Sequence, residues 1–104
     1  MKHAIILTTR FLKNPHARNI IKPHISNLHK YIMKQPGFIS SDSFWTNDGS
    51  RFFTITKWET SEDWDRWFES KDRKYALSID PTEMIDVSHE QIDKYEHPEH
   101  IDHN

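Results

Sequence analysis

FISSDSFWTNDGSRFFTITKW, residues 38–58, reads as two strand-like runs joined by Asn47-Asp48-Gly49-Ser50. Aromatic and β-branched residues fill the runs, and Asn, Asp and Gly tolerate the left-handed backbone that a tight turn requires. The reading is a hairpin, out along Phe38 to Thr46 and back along Arg51 to Trp58. Upstream, Gln35-Pro36-Gly37 stops a helix whose apolar stripe is Ile21, Ile25, Leu28 and Ile32, at the spacing of one helical face. Pro23 interrupts that stripe early, so it either sits in the first turn or kinks the helix. Lys13-Asn14-Pro15 breaks the chain before it. His3 to Phe11 alternates, with Ile5, Leu7, Thr9 and Phe11 on one side and Ala4, Ile6, Thr8 and Arg10 on the other. Both sides are substantially apolar, which predicts a strand covered on both faces.

Downstream of the hairpin, Thr60 opens a second helix with Asp63 three residues on, a weak capping-box signal. Trp64, Trp67, Phe68, Lys71 and Tyr75 recur along it at helical spacing, and Asp80-Pro81 ends it. Met84 to Tyr95 reads as the last strand. The order is β-α-β-β-α-β, the ferredoxin-like α+β arrangement of two helices on one face of a four-stranded antiparallel sheet. It forms one domain over residues 1–96, followed by a polar, histidine-rich tail over 97–104 that is expected to be mobile. The opposite sheet face has no helix. Ile6, one of Phe44 and Trp45, and one of Phe52 and Phe53 are expected to meet a second copy of the chain there, giving a homodimer.

Composition narrows the function classes. The 104 residues carry a net charge of −2, so no electrostatic case exists for nucleic acid or an anionic membrane surface. Adding eight histidine charges to −2 gives +6, so mild acid changes the balance strongly. Hydrophobic residues make up only 35%, against roughly 45–50% in an ordinary globular domain. Four Trp, six Phe and three Tyr concentrate what there is in large side chains. The absence of cysteine excludes disulfides, thiolate metal sites and thiol catalysis. The apolar run at the start is too short for a signal peptide, and no stretch approaches the roughly 20 apolar residues that span a bilayer. A cytoplasmic protein is the expectation. Two glycines cannot build a phosphate-cradling loop, and no G-x-S-x-G elbow occurs, which sets aside NTPase, kinase, dinucleotide-binding and hydrolase readings.

Pro36-Gly37-Phe38-Ile39, the turn at Asn47-Asp48-Gly49, and Thr56-Lys57-Trp58-Glu59-Thr60-Ser61-Glu62-Asp63-Trp64-Asp65-Arg66-Trp67 together resemble the antibiotic biosynthesis monooxygenase superfamily. The resemblance follows the order of elements over residues 2 to 96 and is specific between Pro36 and Ser70. It implies a dimeric α+β barrel with a pocket between sheet and helices. It also implies oxygenation of a flat hydrophobic or aromatic small molecule without a dedicated cofactor. Haem is the cofactor of a second branch. There, a first-strand Asn, a Trp on the second helix and a His ten residues later recur. Here the Trp falls on Trp67, Leu77 stands at the histidine position, and the first-strand position falls at Thr9. A haem-binding or haem-degrading protein would therefore need altered iron ligation, with Tyr75 or His89 as the substitute. A non-catalytic binding or stress-response module is the third reading that the fold allows.

The residues expected to bind substrate are Thr9 on the pocket floor, with Phe38, Trp67 and Phe68 around it. Trp67 serves equally as a core residue seating its helix, and Trp58 and Trp64 read as packing residues. Cofactor-free oxygenation needs desolvation, orientation and a base. Asp42, sharing the Thr9 face with Ser40, is the candidate catalytic base, because a carboxylate in an apolar pocket has a raised pKa; the plain reading is a solvent-facing strand position. His16, His24 and His29 lie at spacings that make no helical metal pair, although one facing the pocket would serve as a base. His97, His100 and His103 in the tail suit adventitious zinc or nickel rather than a built metal site, so no metal is expected.

Overall fold

Asp48 and Gly49 close the hairpin by different means. Gly49 holds φ at +74°, a conformation that costs glycine little. The Asp48 carboxylate accepts hydrogen bonds from the Ser50 hydroxyl at 2.7 Å, the Ser50 N–H at 2.9 Å and the Thr46 hydroxyl at 2.7 Å. Those three bonds, the Ser50 hydroxyl foremost, hold its pKa down to about 2. The computed structural model describes residues 3–12, 18–78 and 87–97. In chain order these form β1 (His3–Leu12), α1 (Arg18–Ile32), β2 (Phe38–Trp45), β3 (Arg51–Trp58), α2 (Ser61–Glu69), α3 (Lys71–Ser78) and β4 (Val87–His97).

The strands make one antiparallel sheet in the order β2-β3-β1-β4, the ferredoxin-like α+β arrangement expected from the sequence. Two details go beyond that arrangement. Pro23 stands beyond the first turn of α1, and the helix runs through it, although proline has no N–H for the carbonyl four residues earlier. The second helix is two helices. Ser70 is extended, at φ −69° and ψ 155°. Its hydroxyl donates to the Trp67 carbonyl at 2.7 Å and accepts from the Arg73 N–H at 3.1 Å. One side chain therefore ends α2 and starts α3, the local competition with helix hydrogen bonding that serine offers. The start of the expected last strand, residues 84–86, and the tail from 98 onward lie outside the described residues.

Register decides the faces. Ala4, Ile6, Thr8 and Arg10 lie opposite Trp58, Thr56, Thr54 and Phe52. This set faces the helices, since Ala4, Ile6 and Trp58 pack with Ile32, Trp64 and Trp67 in the core. Ile6 and Trp58 are fully buried, and the Trp58 indole N–H donates to the Thr56 hydroxyl at 2.9 Å. Each buried tryptophan hides about 150–250 Å², worth about 4–6 kcal/mol as an upper bound. Three of them give a polar chain its core. Ile6, expected on the uncovered face, is thus corrected to the helix-facing one. Trp45 and Phe52 share that side, with ring centroids 4.4 Å apart. The uncovered face carries Ile5, Leu7, Ile55, Phe53 and Phe44. There Phe44 stacks on Phe53 at 5.2 Å and remains 44% exposed.

A single corner joins the hairpin to α2. Gly37 adopts φ +83° and its carbonyl accepts the Glu59 N–H at 2.7 Å. A methyl group added there would overlap the Asp63 side chain, 2.7 Å from its Cβ and nearer its carboxyl group. Asp63 is fixed in turn: its N–H donates to the Thr60 hydroxyl, which donates back to its carboxylate at 2.8 Å, and Arg66 pairs with the other oxygen.

Candidate functional site

The helix-facing side of the sheet changes character along its length. At one end it is the packed core; beyond Ile6 and Trp58 the side chains become short and hydroxylated. Thr8 lies opposite Thr54, Ser43 opposite Thr54, and Ser41 opposite Thr56. The Ser43 hydroxyl donates to that of Thr54 at 3.3 Å. Short side chains leave a space under the helices, and these residues floor a cavity of about 210 Å³. One water needs roughly 10–15 Å³ of such space, so the cavity admits a ring system.

Its walls are apolar. Trp64, Trp67 and Phe68 of α2 form one side, and Ile25, Leu28 and Ile32 of α1 form the other. Trp64 and Phe68 stack at 4.8 Å with 27° between their planes, a paired aromatic surface suited to a flat ligand. Arg10 of β1, His29 of α1 and Arg73 of α3 add basic side chains to the lining, beside Ser26 of α1 and Ile92 of β4. The Arg73 guanidinium sits 4.2 Å from the Phe68 ring centroid, within cation–π range. Among the described residues, no aspartate or glutamate lines the cavity.

Trp67 and Phe68, two of the expected binding residues, line this cavity together. Phe38 does not; it packs edge-on against Trp58 at 5.4 Å and against His29 at 6.4 Å. Thr9 points away from the helices, opposite Phe53 and Gln91, and is buried in the other face of the sheet. Its neighbour Thr8 occupies the floor. Ser40 and Asp42 do share the Thr9 face, opposite Lys57 and Ile55. Asp42 is exposed there and accepts a hydrogen bond from the Ser43 N–H at 2.9 Å. Enclosure in an apolar pocket, the premise for making it a base, is missing. The residues that sequence reading passed over are Thr8, Ser41, Ser43, Thr54, Thr56, Arg10 and Arg73. Strand alternation separates the two sets but does not say which one faces the helices.

The haem-degrading arrangement does not fit. Leu77, ten residues after Trp67, lies in α3, and a leucine has no lone pair for iron. Tyr75 is exposed and packs on Tyr31 at 5.9 Å, outside the cavity lining. The side chains of His89 and His97, and the tail histidines His100 and His103, lie outside what is described. Among the described residues, no three His, Asp or Glu side chains gather as a metal site. Among them, too, no helix is long and apolar enough to cross a membrane.

Residues 15–77 match the sequence profile of the family described as antibiotic biosynthesis monooxygenase. No curated protein sequence matches the chain. Similar solved structures include a conserved protein from Methanosarcina mazei Go1, at 14% identity and TM-score 0.77, covering 94% of this chain and 95% of that one. A monooxygenase from the gene ActVA-Orf6 of Streptomyces coelicolor, solved with nanaomycin D, shows 15% identity and TM-score 0.74 over 94% and 89%. SnoaB, a cofactor-independent oxygenase from Streptomyces nogalater, shows 10% identity and TM-score 0.67 over 90% of each chain. At these identities the likeness is one of fold.

Proposed function

This chain belongs to the antibiotic biosynthesis monooxygenase family, and on that premise we propose that it oxygenates a flat, hydroxylated aromatic molecule in the cavity without a dedicated cofactor. The observation that carries the reading is the cavity itself, stacked aromatics and Trp67 above a floor of hydroxyls. The rings hold a planar ligand, and Thr8, Ser43, Thr54 and Thr56 offer hydrogen bonds to its oxygens. In such a reaction a ring methylene and O₂ give a ring carbonyl and water. One oxygen atom enters the ring, the other leaves with the two methylene hydrogens, and the substrate supplies the electrons. The protein contributes orientation and exclusion of water. The oxygenases from the two Streptomyces species support this reading by fold and by their descriptions.

The functional unit in this reading is a homodimer, working in the cytoplasm. Ile5, Leu7, Phe44, Phe53 and Ile55 form an apolar sheet face that no helix of the chain covers, and a second copy would bury it.

An oxygen electrode provides the test, with 1,8-dihydroxyanthrone as substrate and a chelator present. The expected result is catalysed O₂ uptake with one quinone formed per O₂, and a loss of at least about tenfold in kcat/KM for Trp67→Ala, about 1.4 kcal/mol of transition-state stabilisation. Tight binding with no catalysed uptake would instead identify a binding module. A haem Soret band that appears on titration and decays with reductant would identify a haem enzyme.

A further inference from the structure

Charge is segregated along this chain. All 16 aspartates and glutamates lie at or after Asp42, whereas half of the 14 lysines and arginines precede it. β1 is an inner strand of the sheet, so the helix layer presents the positive half through α1. That helix carries Arg18, Lys22 and Lys30, with Lys34 just beyond its end, and no carboxylate. α1 also bounds the cavity. Its lining residues Ser26 and His29 are exposed, as is Ser43 of β2, while Trp64, Trp67 and Thr56 of the same lining are buried. The cavity therefore opens between α1 and the edge strand β2. Lys22 and Lys30 stand one turn either side of Ser26, at the i, i+4 spacing that makes side chains neighbours on one helical ridge. Both lysines are exposed, and among the described residues no carboxylate pairs with either. The acids of the helix layer are engaged or distant: Asp63 pairs with Arg66, Asp65 with Lys94, and Asp72 accepts from Gln35. Glu62 and Glu69 belong to α2, the opposite wall. Asp42, next to Ser43, lies on the other face of the sheet.

Resting on the cavity reading above, we propose that the preferred ligand is a flat aromatic acid, whose rings enter the cavity and whose carboxylate stays at the mouth between Lys22 and Lys30. Arg10 and Arg73 of the lining are engaged in interactions within the chain, so the unpaired charges that meet an arriving ligand are these two lysines. At the mouth a carboxylate keeps much of its water and avoids the cost of entering an apolar space. The lysines act on entry more than on grip. Exposed ion pairs add little affinity, whereas a rim of one sign raises the association rate of an opposite charge. The effect runs against the charge of the molecule as a whole. A net charge of −2 weakly repels an anion, so faster entry of an anion at low salt reports a local positive field, and lysine variants assign it to the rim.

Anthraquinone-2-carboxylate and the uncharged anthraquinone-2-carboxamide test this without turnover. Stopped-flow quenching of tryptophan fluorescence follows their entry, since Trp64 and Trp67 stand in the cavity wall. The carboxylate is expected to associate at least about threefold faster in about 20 mM salt than in about 300 mM, because added salt screens the rim, while the rate for the amide stays level. Lys22→Gln combined with Lys30→Gln is expected to abolish that salt dependence and to leave the rate for the amide unchanged, which also shows that the variant is folded. A carboxylate that enters no faster at low salt, or a salt dependence that survives in the double variant, would overturn the proposal and leave the aromatic cavity standing. Failure of both probes to bind the parent protein would overturn both.

Discussion

Replacing Gly37 with alanine is expected to destabilise the domain far more than a surface turn substitution does. Two effects add. The backbone at φ +83° costs an L-residue about 1–2 kcal/mol. The new methyl group also meets Asp63, which cannot retreat without breaking its bonds to Thr60 and Arg66. Loss of a helix cap of this kind costs about 1 kcal/mol. Alanine recovers about 0.4–1 kcal/mol by stiffening the unfolded chain, leaving a net loss of about 1–2.5 kcal/mol. For a domain of this size that corresponds to a fall of roughly 5–20 °C in Tm. Urea and thermal unfolding followed by tryptophan fluorescence would measure it. The diagnostic comparison adds Asp63→Ala and the double variant. If the methyl group collides with the Asp63 side chain, the double variant loses at least about 1 kcal/mol less than the summed singles, within the coupling that contacting residues show. A Gly37→Ala cost below about 1 kcal/mol, or strict additivity with Asp63→Ala, would refute the reasoning.

Two further outcomes are expected. The Asp48 carboxyl, held to about 2 by Ser50 and Thr46, is depressed relative to the unfolded chain. Its contribution to stability is present above about pH 4 and lost as pH falls toward 2. An NMR titration should place its midpoint near 2, and a midpoint at the ordinary aspartate value would count against the turn geometry. On the uncovered sheet face, light scattering at micromolar concentration should give a two-chain mass for the parent and a one-chain mass for Phe44→Glu, which sets a charge beside Phe53. A one-chain mass for the parent would sink the dimer.

Most of the fold was legible because its signals are local. Asn47-Asp48-Gly49-Ser50 announces a hairpin through turn chemistry alone, and Arg51–Trp58 is a strand with the bounds its residues suggest. The break at Ser70 was not legible, since Trp64, Trp67, Phe68, Lys71 and Tyr75 keep a helical rhythm across it. A single extended residue whose hydroxyl serves both helix ends leaves no mark on that rhythm. The site suffered from parity. Thr9, Ser40 and Asp42 do lie on one face, but β1 is apolar on both sides, so alternation could not say which side meets the helices. Shifting the choice by one residue exchanges the candidates on that face: Thr9 gives way to Thr8, and Ser40 and Asp42 to Ser41 and Ser43.

The residues that identify the family and the residues that line the cavity are therefore largely different sets. Pro36-Gly37-Phe38 and Trp58-Glu59-Thr60 meet in one corner, where Gly37 must lack a side chain beside Asp63, Glu59 bonds its carbonyl, and Phe38 packs on Trp58. That corner fixes how α2 leaves the hairpin, and through it where Trp64, Trp67 and Phe68 stand over the sheet. Its contribution to function is positional. The cavity floor is made instead by Thr8, Ser43 and Thr54, none of which belongs to that corner. A sequence can thus keep the family's framework intact while Leu77 stands where one branch has an iron ligand. Substitutions in the corner should lower stability and leave ligand preference alone, whereas substitutions at Thr8 or Ser43 on the cavity floor should change which ligand binds and leave the fold alone.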